Sequence, residues 1–106
     1  MDDTYEYNKF IQEKLDQIKE LFSVKSEQYC TRDALDNFRR GALIEYKNDI
    51  YPSMYLVLRG YMLKHITQVF KPLGANKQDE CLMDIIVYCL IALYMFKKHK
   101  EAEVND

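Results

Sequence analysis

The stretch Cys81–Phe96, CLMDIIVYCLIALYMF, constrains this chain more than any other. Its only charged member is Asp84, and neither Pro nor Gly interrupts it. As a helix it is about 24 Å long at 1.5 Å per residue. A membrane span needs roughly 20 apolar residues, so the stretch reads as the central helix of a soluble core. A carboxylate in such a setting is costly unless a cation, a metal or hydrogen-bond donors pair with it. Glu80 lies four residues before Asp84 and Tyr88 four after, so the three share one helix face.

The remaining chain supplies three more helices. Thr4 is a candidate N-cap for Tyr5–Phe22, where Ile11, Leu15, Ile18 and Phe22 step at helical spacing. The pattern continues more weakly toward Tyr29. Cys30–Asp33 reads as a break, with Thr31 or Asp33 as caps for a second helix, Ala34 to about Tyr46. Leu35, Phe38, Ala42 and Leu43 form its inward side. Lys47–Pro52 reads as a loop, because a residue before Pro disfavours helix. A third helix, Ser53–Phe70, carries Met54, Val57, Leu58, Tyr61, Ile66, Val69 and Phe70. Gly41 and Gly60 mark places where a neighbour can approach closely. The turn KPLGANK, Lys71–Lys77, leads into the last helix, from Gln78 or Asp79 to about His99. The tail from Glu101 to Asp106 is expected to fray.

These elements predict an all-α fold of one domain, 1–106, an antiparallel four-helix bundle with short loops. The last helix is apolar nearly all round, so a homo-oligomer is expected to bury the surplus. Net charge is −2, which gives nucleic acid no general attraction. The acidic start MDDTYEYNKF lacks the apolar core of a signal peptide, and no stretch is long enough for a membrane. The three cysteines form no C-x-x-C pair, and His65 and His99 stand at no zinc-ligand spacing with them. Reduced thiols in a cytoplasmic protein are the expectation. Phosphate-binding glycine loops, H-E-x-x-H and G-x-S-x-G are all missing.

Candidate chemistry lies at the first break and on the last two helices. Glu27, Glu80 and Asp84 are oxygen ligands suited to Mg²⁺ or Mn²⁺. Lys25, Lys64 and His65 offer positive charge to the phosphates of a nucleotide. Asn37 offers an amide to a base or sugar, and Tyr29 and Tyr88 an aromatic face or a phenol. A plainer reading stands beside this one. Acid pairs four residues apart are common on helix surfaces, Glu80 favours a helix N-terminus by itself, and Asp84 can pair with Lys64 or His65.

The order Lys25-x-x-x-Tyr29, Asn37-Phe38, Met62-Leu63-Lys64-His65, then Asp79-Glu80-x-x-x-Asp84-x-x-x-Tyr88 resembles small phage-encoded helical proteins. Those are related to the all-α nucleotide pyrophosphohydrolases, the superfamily of MazG-like enzymes and dimeric dUTPases. The resemblance spans roughly Lys14 to Phe96. It implies a bundle assembled as a dimer or tetramer, Mg²⁺ on helix carboxylates, and cleavage of a nucleoside triphosphate between its α and β phosphates. Glu80 and Asp84 match the catalytic acidic pair of the last helix, Glu27 an acid of the earlier helix, and Lys64 the basic residue near the phosphates. The superfamily's E-E-x-x-E helix is altered: Ser26 precedes Glu27 and Cys30 follows it by three. Cys81 stands three before Asp84, where an acid belongs. A single metal assisted by Asp33 or Asp36 would suit such a site. Two rival readings follow, a nucleotide binder without hydrolysis on the same bundle, and a helical oligomerisation or interaction module.

Overall fold

The computed structural model describes residues 3–29 and 35–104, and of residues 23–29 only the helical backbone. The chain is all-α, with four helices and no strand among the described residues: α1 (Asp3–Tyr29), α2 (Asp36–Tyr46), α3 (Tyr51–Val69) and α4 (Gln78–Val104). They fall into two units, Met1–Ala34 and Leu35–Asp106.

The first unit is α1. It begins at Asp3, so Thr4 lies inside the first turn instead of capping it. Asp3 and Glu6 place negative charge at the helix N-terminus, where the macrodipole favours it. Of Ile11, Leu15, Ile18 and Phe22, expected on a packed face, Ile18 is buried and the other three are exposed.

In the second unit α3 packs against both α2 and α4. Leu35 stands at the N-cap of α2 without a side-chain cap bond; its carbonyl accepts from the Phe38 and Arg39 amides at 3.0 and 2.9 Å. The capping candidates Thr31 and Asp33 lie outside the described residues. Lys47 closes α2 in the left-handed conformation at φ 65°, its amide donating to the Leu43 carbonyl at 3.2 Å.

α3 starts at Tyr51, two residues earlier than expected. Pro52 in the first turn lacks an amide hydrogen where the helix needs none. Asn48 organises this entry: its Oδ1 accepts from Ser53 Oγ at 2.6 Å and from the Ile50 amide at 3.3 Å. After α3, Gly74 takes φ 102°, a left-handed turn that suits glycine. Buried Gln78 then ties the turn together. Its Oε1 accepts from the Gly74 amide at 2.9 Å, and its Nε2 donates to the Val69 and Lys71 carbonyls at 3.2 and 2.9 Å.

The core joins Leu35, Phe38, Ala42, Met54, Val57, Leu58 and Met95, flanked by Tyr51, Met62, Tyr88, Ile91 and Ala92. A Cβ on Gly41 would sit 3.0 Å from Val57 Cγ1, the close approach expected there. Gly60 has nothing within 4 Å, so the close neighbour expected at that position is not present. Leu43 is expected inside and is exposed, as are Tyr61 and Phe70 of α3. The α2 and α3 faces that meet are narrower than their apolar stripes.

α4 runs to Val104, past the expected end at His99 and through most of the tail expected to fray. Lys97 and Lys98 reach Glu101 at 3.7 and 3.2 Å, and His99 and Lys100 reach Glu103 at 3.1 and 3.5 Å. Pairs three and four residues apart stabilise exposed helix in this way. No helix among the described residues is long and apolar enough to cross a membrane.

Candidate functional site: a ladder between α3 and α4

Two residues one turn apart on α3, Tyr61 and His65, meet two residues one turn apart on α4, Tyr88 and Asp84. The Tyr61 and Tyr88 rings stack with centroids 6.3 Å apart and planes 16° from parallel. His65 lies 5.6 Å from the Tyr88 ring, tilted by 35°, and its Nδ1 is 3.7 Å from Asp84 Oδ2. Tyr61 and His65 advance along α3 as Tyr88 and Asp84 recede along α4, so the helices run antiparallel. Phe38 of α2 closes the row with its ring edge-on to Tyr61, centroids 5.9 Å apart.

This geometry answers the puzzle set by Asp84. Its side chain is 48% exposed, so the carboxylate keeps water on one side and His65 on the other. The side chain facing Asp84 is His65, an ion pair only when its imidazole is protonated. Lys64, the residue before it on α3, is exposed, and Glu80 is exposed one turn before Asp84. Tyr88 is half-buried, and burial raises its phenol above the ordinary value, with the Asp84 charge and then Tyr61 adding to the effect. The phenol stays protonated at neutral pH, a hydrogen-bond donor one turn from a carboxylate.

The structure brings Lys64, His65, Asp84 and Tyr88 to one helix pair, with Glu80 one turn away along α4. Asn37 is exposed in the first turn of α2, beside Phe38. Lys25, Glu27 and Tyr29 fall on the last turns of α1, and their side chains lie outside the described residues. Asp36 holds Arg40 at 2.9 Å and is engaged on its own helix. Tyr61 is the ladder residue that the sequence does not single out as a site candidate. Its position four before His65 was the available sign that it shares a face with it.

Among the described residues no group of three or more His, Cys, Asp and Glu side chains is placed to hold a metal ion. What remains is the pair Glu80 and Asp84, one turn apart. Mg²⁺ commonly keeps several waters and takes only one or two carboxylates beside a substrate's phosphates, so this donor set fits half of such a site. No family model, no curated protein and no solved structure matches this chain.

Proposed function

We propose that the α3–α4 ladder binds a nucleotide together with a divalent cation, in the manner of a MazG-like nucleotide pyrophosphohydrolase. The observation that carries this reading is the half-exposed Asp84, one turn from Glu80 and Tyr88 and facing His65 across the helix pair.

Glu80 and Asp84 would hold Mg²⁺ or Mn²⁺. The ion supplies charge neutralisation at the phosphates and an activated water. Lys64 and His65 would offer positive charge to the same phosphates. Tyr88 would donate its phenol or lend its ring face, and Asn37 would address the base or sugar. The substrate is a nucleoside or deoxynucleoside triphosphate, and the bond broken lies between its α and β phosphates. A reducing cytoplasm, which in a phage-encoded protein is the host's, suits the free Cys81 and Cys89.

A second reading, a binder that sequesters the nucleotide without cleaving it, is favoured by one observation. The described residues offer only two carboxylates to the cation, fewer than a pair of metal ions needs.

A panel of nucleoside triphosphates with and without Mg²⁺, followed by thermal unfolding, tests the site. Saturation at about 100 times Kd stabilises by about 2.7 kcal/mol. Pyrophosphate release from any stabilising nucleotide then separates hydrolysis from sequestration. Absence of any shift across the panel would remove both readings.

A further inference from the structure

α4 has a second face that the ladder does not use. Asp84, Val87, Tyr88, Ile91 and Met95 turn toward α3 and the core. At 100° per residue, Leu82, Ile86, Cys89, Leu93 and Phe96 lie on the opposite side. They follow one another at intervals of 4, 3, 4 and 3, the spacing of a seam between paired helices. Leu82, Ile86, Leu93 and Phe96 are 43%, 41%, 64% and 61% exposed, and Cys89 is exposed as well. A single exposed leucine is ordinary. A continuous apolar row about 21 Å long marks an interaction surface.

The ends of the row say what covers it. One more step in each direction reaches Asp79 at the N-terminal end and Lys100 at the C-terminal end, both exposed. The positions are close to symmetric about the point between Cys89 and Leu90. Asp79 and Lys100 lie equally far from it, as do Ile86 and Leu93. We infer that this face pairs with the same face of a second copy of the chain, the two α4 helices antiparallel around a two-fold axis near Cys89.

In that register Asp79 meets Lys100 of the second copy, and Ile86 meets its Leu93, each pair occurring twice. Each helix N-terminus also lies beside a helix C-terminus, a favourable arrangement of the macrodipoles. A parallel pairing would set Asp79 against Asp79 and Lys100 against Lys100. Lys100 now rests 3.5 Å from Glu103 and 5.8 Å from the Phe96 ring centroid. Exposed contacts of this kind are weak, and Nζ can leave them for a second helix. The pairing leaves the Asp84 face of α4 open, and it holds or fails independently of nucleotide binding.

Sedimentation of the full chain over a concentration series, with circular dichroism as a folding control, tests the seam. The wild type is expected to be a dimer. Leu93→Asp should weaken dimerisation about 100-fold or more, and Asp79→Lys and Lys100→Glu about tenfold each. Combining the two reversals should restore affinity to within about threefold of wild type, because the exchanged charges face each other again. Mild oxidation should join the wild type through Cys89 and leave Cys89→Ser unjoined. Three results would overturn the inference: a wild type still monomeric at about 100 µM, as when another part of the same chain covers the row; an assembly that survives Leu93→Asp; or a double reversal weaker than either single one. Should Leu93→Asp fail to fold, the charge reversals at exposed positions still decide.

Discussion

Gln78 shows how one side chain can hold a junction together. Three main-chain groups of the α3–α4 turn meet its amide, and it is 5% exposed. Gln78→Ala leaves those groups without their partner and is expected to cost about 1–3 kcal/mol, read as a lowered urea midpoint. Nothing in the sequence announced this, since a glutamine at a helix start reads as surface. Asp84 was different. Its isolation among apolar residues singled it out, and spacing alone put Glu80 and Tyr88 on its face. Which α3 residue it would meet depends on the rotation of one helix against the other, and periodicity carries no information on that. The raised phenol of Tyr88 has a signed consequence for stability. Its contribution is fully present below the unfolded tyrosine value near pH 10 and is lost as pH rises through the higher folded value. Tyr88→Phe should therefore flatten the alkaline fall in unfolding free energy, and a variant curve parallel to the wild type above pH 10 would contradict the burial of that phenol.

At the scale of the element, α4 was the most legible part of the chain and also the part whose end was misjudged. Its apolar run located it, and the KPLGANK turn fixed its start to within a residue. Its C-terminal extension rests on ion pairs from Lys97, Lys98, His99 and Lys100 to Glu101 and Glu103. The spacing of those pairs was visible, but position near the end of the chain outweighed it. The Glu101 carboxyl is held below the ordinary value, first by its hydrogen bond from Lys98. A depressed carboxyl supports the fold above its unfolded value and loses that support as pH falls through the folded one. Helicity should accordingly fall as the pH drops below about 4, and Glu101→Gln should show part of that loss already at pH 7. Equal helicity of the two proteins at neutral pH would assign the extension to another cause. α3 ends at Val69, one residue short of the expected Phe70, and of its apolar residues Met54, Val57 and Leu58 are buried while Phe70 is 83% exposed.

Across the whole molecule, the all-α class followed from helical periodicity, scarce glycine and proline, and the absence of strand-like alternation. How the second unit packs was less legible, because α4 is apolar on nearly every side and its sequence does not say which side faces α3. The structure divides those sides between two tasks. One meets α3 and carries the Asp84 ladder, and the other presents a row spaced for a second helix. The proposed nucleotide site and the proposed dimer seam therefore stand back to back on a single helix. Asp84→Asn keeps the shape of the side chain and removes its charge, so it bears on the site without disturbing the seam. The most direct measurement is thermal unfolding of wild type and Asp84→Asn with a nucleoside triphosphate, with and without Mg²⁺. The nucleotide should raise the wild-type midpoint by several degrees only when Mg²⁺ is present, and Asp84→Asn should lose the shift while keeping its ligand-free midpoint. An undiminished shift in Asp84→Asn, or none in the wild type with any nucleotide, would contradict the proposed site.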